Sequence, residues 1–208
     1  MNTVFLSSAY FPPIQYFSKL VHYEKVSIEA HENFLKQSYR NRCYILGSNG
    51  IEIVTVPVQK ANSRLPIKDI KIDFSENWQR QHHRALEAAY SSSPYYEYYI
   101  DDLLFVFNEK EVHLWELNNR ILNTCCNLLE IDPTIEETQK YQKTLPNDFR
   151  NSIHPKKSFQ KIDNEFSAKP YTQVFSDKFD FTPNLSILDL LFNLGPESEL
   201  YLLNTLQR

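Results

Sequence analysis

The chain has 208 residues with a formal net charge of −4, and 42% of its residues are hydrophobic and 14% aromatic. A composition this apolar excludes a disordered chain, and the length is sufficient for one core that folds alone. The negative net charge argues against a general nucleic-acid binder, which presents a broad basic face. The 3 cysteines lack C-x-x-C spacing, which argues against a disulfide scaffold and a cysteine-based zinc site.

The sequence also carries no targeting or membrane signal. No stretch approaches the roughly 18 uninterrupted apolar residues of a membrane span, and no basic segment or small-residue cleavage site accompanies the first apolar run. Unpaired cysteines fit a reducing compartment. We therefore expect a soluble cytoplasmic protein without a membrane span.

The first 75 residues predict a sheet. TVFLSSAY at 3–10 is typical of a strand, a short helix follows, and Val26 and Ile28 alternate with polar neighbours as in a second strand. CYILGSNGIEIVTVPV at 43–58 has two β-rich arms around a turn, which predicts a hairpin. LPIKDIKIDF at 65–74 is expected to add another strand. The opening is therefore a β-α-β unit plus a hairpin in a mixed sheet.

Helical spacing replaces this alternation after Ser75. Asp73 and Glu76 resemble a capping box before one helix, and Asn108 with Glu111 is expected to begin a second. Residues 132–182 are polar and rich in proline, which is typical of a long functional loop or a lid. Gly195-Pro196 divides the last segment into two short helices.

We therefore predict an α/β fold with an N-terminal mixed sheet, packed helices and a C-terminal helical pair. The expected single domain spans 1–208 in four consecutive parts: a sheet-rich part at 1–75, helices at 76–131, the loop or lid at 132–182 and helices at 183–208.

The segment HENFLKQSYRNR, residues 31–42, follows the second predicted strand and is dense in polar side chains. Arginine offers a planar fork to phosphate or carboxylate, lysine offers a point charge, and ligands of open α/β sheets bind at strand ends. The alternative is a solvated edge strand protected from aggregation by its charges. The candidate binding residues are Glu32, Asn33, Lys36, Gln37, Tyr39, Arg40, Asn41 and Arg42. Within this set the arginines would bind the anion, Asn41 would orient the ligand, and the adjacent His31 is a candidate general base.

His82 is the second candidate base. It shares a predicted helix face with Trp78 and points toward the core or a cleft, whereas His83 is rotated toward solvent. A lone inward histidine is more often a hydrogen-bonded core residue than a catalytic base.

The aromatic turn YFPPIQYFSKL at 10–20 replaces the Gly, Asn or Asp of an ordinary turn with prolines, and only 3 glycines occur in the chain. No GxGxxG, Walker, GxSxG or HExxH motif is present, and no metal-binding cluster is evident. The sequence therefore names no cofactor and no metal.

Five ordered stretches together resemble the WbqC-like protein family over essentially the whole chain: SSAYFPPIQYF, HENFLKQSYRNR, TVPV, the W-x3-H of Trp78 and His82, and NLSILDLLFNLGPE. The resemblance implies a transferase in surface-polysaccharide (O-antigen) biosynthesis, with a glycyl group transferred to a nucleotide-activated sugar. The chain departs from the family's opening pattern at Pro13 and Gln15, where relatives have Trp and Gly. Tyr10 and Pro12 match it, and we expect them, with Trp78, to wall a pocket beside residues 36–42.

The expected substrate is a small anionic molecule, a nucleotide sugar or a carboxylate, with no nucleic acid. One alternative is a non-catalytic module that binds a sugar nucleotide or docks on a polysaccharide-biosynthesis enzyme such as a glycosyltransferase. Its partner surface would be the apolar side chains of the penultimate helix: Leu185, Ile187, Leu188, Leu191 and Phe192. A third interpretation, a nucleotide-activating enzyme, would need a divalent metal and a triphosphate site.

Overall fold

The computed structural model describes residues 2–60 and 65–206. The strands are β1 (Thr3–Ser7), β2 (Lys25–Glu29), β3 (Arg42–Gly47), β4 (Gly50–Thr55) and β5 (Ile135–Glu137). The α-helices are α1 (Ile14–His22), α2 (Trp78–Tyr90), α3 (Tyr96–Leu103), α4 (Phe105–Asn108), α5 (Leu114–Leu128), α6 (Phe159–Ile162), α7 (Ile187–Leu194) and α8 (Ser198–Leu203). The mixed α/β class, the hairpin and the C-terminal helical pair are confirmed.

The sheet that organises the fold is parallel, with strand order β1-β2-β5. Val4 and Leu6 of β1 and Val26 and Ile28 of β2 are buried, and helix α1 connects the two strands. On the other side of β1, the Phe5 backbone exchanges hydrogen bonds of 3.1 and 2.9 Å with residues 147 and 149. Because the strands are parallel, the carboxyl ends of β1 and β2 lie at the same edge.

The hairpin β3–β4 is a separate antiparallel pair, with Gly47 opposite Gly50 and Arg42 opposite Thr55. The predicted strand at 65–74 is wrong. Ile67–Asp69 form a 3-10 turn, and the flanking residues make only isolated bridges. Ile67 and Ile70, three residues apart, are both buried, and a turn achieves this whereas a regular strand would point them to opposite faces.

The two long helices begin later than their predicted caps. Asn77 caps α2 by accepting a hydrogen bond from the Arg80 backbone at 3.3 Å, whereas Asp73 instead accepts from the Ser75 backbone in a local turn. Asn108 ends helix α4, so α5 begins only at Leu114. The local hydrogen bond of the Asp73 side chain explains the first difference. The second arises because Asn108 belongs to the preceding helix, its backbone N–H bonded to the Leu104 carbonyl.

Residues 132–182 are largely irregular but include β5 and α6. Their attachment to the body is polar and buried. Lys19 of α1 donates a hydrogen bond of 2.8 Å to Asp163, and neither side chain is more than 1% exposed. Gln15 donates to the same carboxylate at 2.7 Å.

Helix α7 is part of the core. The five side chains that were expected to form an exposed partner surface are each at most 2% exposed: Leu185, Ile187, Leu188, Leu191 and Phe192. That predicted docking surface is wrong, because the helix is covered by its own chain. None of the described helices is both long and apolar enough to cross a bilayer.

Gly195, which ends α7, is expected to tolerate no side chain. Its φ is +54°, and an added Cβ would lie 2.6 Å from the Tyr95 ring. The Tyr95 backbone N–H donates a hydrogen bond to the Phe192 carbonyl, which holds this residue in place. We expect Gly195→Ala to lower the free energy of unfolding by about 2 to 5 kcal/mol in urea titrations, from backbone strain plus overpacking.

Gly47→Ala is the matched control. Its Cβ would meet the flexible end of Glu52 at 3.3 Å and the Gly50 carbonyl oxygen at 3.7 Å, an ordinary contact distance, so a loss below about 1 kcal/mol is expected. Equal losses in the two variants would contradict the conclusion that Gly195 tolerates no side chain.

Candidate functional site

Two buried arginine–carboxylate clusters occupy the carboxyl edge of the parallel sheet. In the first, Arg40 forms a bidentate ion pair with Glu32, with Nε 2.8 Å from Oε1. Arg40 Nη2 also donates to Ser7 Oγ at 2.8 Å, and Ser7 is the last residue of β1. Burial raises the pKa of the Glu32 carboxyl, and the Arg40 guanidinium opposes part of that rise.

The second cluster joins the end of β2 to a distant segment. Arg150 Nη1 donates to Glu29 Oε2 at 2.6 Å, and its other guanidinium nitrogens bind Asp148 at 2.6 and 2.8 Å. The remaining Glu29 oxygen accepts from the Thr138 hydroxyl and the His31 backbone. The hydrogen bonds to Asp148 and Glu29 raise the pKa of Arg150, so this cation is permanent.

A cleft of about 340 Å³ lies directly over both clusters. Arg40 and Arg150 belong to its lining and also bound a smaller inner space of about 10 Å³, beside Ser7. That inner space has room for about one water molecule. The full lining of the outer cleft is His31, Glu32, Asn33, Leu35, Arg40, Tyr141, Arg150 and Asn151.

The charges of basic side chains from two segments act on His154, which lies three residues after the cleft residue Asn151. Burial lowers the pKa of His154, and the nearby charges of Lys157, Arg40, Lys156 and Arg42 lower it further. Lys156 donates to the Gln37 side chain, and Lys157 donates to the backbone carbonyl of the cleft residue Asn151 at 2.7 Å. Below, "the cation cluster" means Arg42, His154, Lys156 and Lys157.

The cation cluster lacks counter-charges. Within 2–60 and 65–206, no ion pair involves Arg42, Lys156 or Lys157, whereas Arg40 and Arg150 are both paired. The Nε of Arg42 is buried without a hydrogen-bond partner among these residues. An incoming anion would therefore meet uncompensated positive charge at this cluster.

The structure brings part of the predicted site together. His31, Glu32, Asn33 and Arg40 line the cleft. Gln37 and Arg42 are not in its lining: Gln37 accepts a hydrogen bond from Lys156, and the charge of Arg42 acts on His154. Lys36 is exposed next to Gln37 in the sequence, and Tyr39 lines the inner space. Asn41 is buried and donates to the Val56 carbonyl at 2.8 Å, which supports the hairpin.

The other predicted residues lie in the core instead. Tyr10, Pro12, Trp78 and His82 are all buried, and none is in the lining of the cleft. His82 Nε2 must donate to the Thr55 carbonyl, 3.1 Å away, because a carbonyl only accepts; its Nδ1 then accepts from the Tyr10 hydroxyl at 3.0 Å. Burial lowers the pKa of His82 to about 4, so the ring is neutral at pH 7.

Sequence reasoning missed several residues of the site: Ser7, Glu29, Arg150, His154, Lys156 and Lys157. Ser7 and Glu29 end parallel strands, and that position was a usable signal. The run HPKK at 154–157 was visible as a local concentration of charge. Nothing in the sequence places it beside Arg42. Across the described ranges, no three His, Cys, Asp or Glu side chains converge as a metal site.

The Glu29–Arg150 pair is expected to be critical for stability. Both side chains are at most 2% exposed, so Arg150→Met would strand a buried carboxylate and lower the free energy of unfolding by about 3 to 5 kcal/mol. The matched control is Arg120→Met, because Arg120 pairs with Glu109 at the exposed surface and should contribute about 1 kcal/mol or less. Urea titrations of both variants test this, and similar losses would contradict it.

His82 should make the fold acid-sensitive. Its pKa is about 4 in the folded chain and about 6.5 when unfolded, so the unfolded state binds the proton more tightly and stability falls as pH drops from about 6.5 to 4, by about 3 kcal/mol. His82→Gln keeps a donor and an acceptor but cannot titrate. We expect the stability difference between wild type and variant to change with pH by this amount; a constant difference would refute the neutral-core assignment.

Comparison with known proteins places the chain in a family. The model of the WbqC-like protein family matches residues 7–152 and 149–201. The chain is also 29% identical over 224 residues to "Uncharacterized protein Rv1507c" of Mycobacterium tuberculosis (strain ATCC 25618 / H37Rv), with 95% of each chain covered. No solved structure gives a significant match. Because the family match covers most of its length, this chain belongs to the WbqC-like protein family.

Proposed function

We propose that the chain is a transferase that binds an anionic, activated sugar. The binding site is the cleft of about 340 Å³ at the carboxyl edge of the parallel sheet, called the edge cleft below. The observation that carries this proposal is the uncompensated cation cluster beside this cleft, which also contains a histidine. Phosphate or carboxylate would be held by Arg42, Lys156 and Lys157, since guanidinium and ammonium groups are the preferred partners of such anions.

His31 is the proposed general base. It lines the cleft, it is exposed, and its ring has no hydrogen-bond partner in the part of the chain that the structure describes. The Glu32 oxygens are already bonded to Arg40 and Ser7, so Glu32 would hold the cleft in shape. His82 would act at a distance, by fixing Tyr10 in the core.

The reaction implied by the family resemblance is transfer of a glycyl group to a nucleotide-activated sugar. An amine or hydroxyl of the sugar would attack the carbonyl carbon of an activated glycyl donor. The new amide or ester bond forms as the donor's leaving group departs with its electron pair. His31 takes the proton of the attacking group, a contribution of about 10²- to 10⁴-fold in rate. The setting in surface-polysaccharide biosynthesis belongs to the same proposal.

Calorimetric titration with UDP- and dTDP-sugars tests the binding step. Arg42→Ala and Lys156→Ala should each weaken binding by about 10- to 100-fold, because hydrogen bonds to charged groups contribute about 1.5 to 3 kcal/mol. Lys169→Ala is the matched control: Lys169 is exposed, its loss makes the same change in net charge, and it lies outside the cation cluster, with its backbone hydrogen-bonded to Tyr201 of α8. Unchanged affinity in both cluster variants would refute the anion site.

A transfer assay tests the chemistry. The protein is incubated with amino-sugar nucleotides and glycyl-CoA, and mass spectrometry measures addition of one glycyl group. His31→Gln should reduce the rate by at least about 100-fold while nucleotide-sugar affinity is kept, and His82→Gln should leave the rate per folded molecule unchanged. Ligand binding without any product would favour the non-catalytic binding module.

A further inference from the structure

The edge cleft has an apolar side that the transferase proposal does not use. Tyr141 is 51% exposed and Leu35 is 43% exposed, and both line the cleft. The remaining lining residues are polar or charged. Two large apolar side chains exposed within one polar cleft form a local surface for an apolar or planar ligand group.

Tyr141 is held in position although it is exposed. The Arg150 guanidinium lies 5.1 Å from the centre of its ring. The same guanidinium donates at 2.7 Å to the carbonyl of Gln142, the next residue in the chain. Arg150 is itself fixed by Glu29 and Asp148. These contacts favour one position of the ring over the Arg150 guanidinium, and such preorganisation lowers the entropy cost of binding against it.

Unused amides lie in the same cleft. Asn33 and Asn151 are exposed, and neither side chain has a hydrogen-bond partner within the described ranges. Each amide offers two donors and an acceptor, which suits the edge of a heteroaromatic base. The Asn151 carbonyl also accepts from Lys157 of the cation cluster, so the amides and the cations are contiguous.

We propose that this cleft is a nucleoside diphosphate site. The base stacks on Tyr141 with Leu35 beside it, Asn33 and Asn151 contact the base edge, and the diphosphate binds Arg42, Lys156 and Lys157. The volume of about 340 Å³ is within the range of small-molecule sites, which runs from about 300 to 1,000 Å³. This inference rests on the proposed function and deepens it: the protein recognises its substrate by the nucleotide.

The competing explanation is that Tyr141 only shields the Arg150–Glu29 pair from water. In that case the ring would contribute to stability and not to nucleotide affinity. A sugar phosphate or pyrophosphate would then bind the cation cluster as tightly as a nucleotide does.

Calorimetry on the full chain separates these explanations with UDP, ADP, inorganic pyrophosphate and glucose 1-phosphate as probes. UDP and ADP should bind at least about 10-fold more tightly than pyrophosphate, because stacking on an aromatic ring tolerates every base. Tyr141→Leu should weaken UDP binding by about 5- to 100-fold, and Tyr141→Phe should preserve it. Pyrophosphate affinity should be the same in wild type and both variants, which also shows that the variants are folded.

Arg42→Ala should weaken UDP and pyrophosphate alike. If UDP binds no more tightly than pyrophosphate, or if Tyr141→Leu leaves UDP affinity unchanged, the nucleoside site is refuted, while Arg42-dependent binding of glucose 1-phosphate would still support the transferase proposal. If UDP binding depends on Tyr141 but no glycyl transfer occurs, the transferase proposal fails and the nucleotide site stands. If no probe binds, both are refuted.

Discussion

The arrangement of this protein depends on two buried arginine–carboxylate pairs at the carboxyl edge of its parallel sheet. Glu29 ends strand β2 and Glu32 follows it, and burying either carboxylate alone would cost several kcal/mol. Arg40 and Arg150 offset that cost: Arg40 pairs with Glu32 within one segment, whereas Arg150 reaches Glu29 from a distant part of the chain. The Glu29–Arg150 pair therefore holds a distant segment over the sheet, as apolar packing does elsewhere in the core.

This pairing also determines which cations remain available to a ligand. Arg40 contacts Ser7 at the carboxyl end of β1, yet its charge is balanced by Glu32. Arg42, two residues along, has no such partner within the described residues, and its charge, like those of Lys157 and Lys156, adds to the effect of burial in lowering the pKa of His154. Of the two arginines in residues 31–42, Arg40 is thus used in a structural ion pair, whereas Arg42 belongs to the cation cluster. Composition alone does not separate these two uses.

The sequence predicts the fold class because that class depends on local patterns. Alternating apolar residues define β1 and β2, the Gly47–Gly50 turn defines the hairpin, and Gly195 separates the last two helices. The failures have physical causes. The isoleucines of 65–74 are buried by a turn, and the Asp73 side chain bonds its own backbone rather than capping α2. In each case the predicted element, a strand or a helix cap, competes with a local turn.

Only part of the candidate site could be predicted from the sequence, for a different reason. Residues 31–42 are adjacent in sequence, but Arg150 and the run at 154–157 reach them through tertiary contacts that no periodicity encodes. The burial of Tyr10 and Trp78 was equally hard to foresee, since an aromatic turn that walls a pocket and one that fills a core have the same composition. Burial, which the sequence does not specify residue by residue, separates them.

The pairing of Phe5 with residues 147 and 149 has a consequence for how the molecule forms. Until that late segment arrives, one edge of β1 has unsatisfied backbone groups, and the strand is apolar on its buried face. Such an edge is a template for pairing with other chains. A contact between segments so far apart also slows folding, because a long loop must close before the contact is formed. During synthesis the nascent chain would therefore keep this edge of β1 open until residues 147 to 149 have been made.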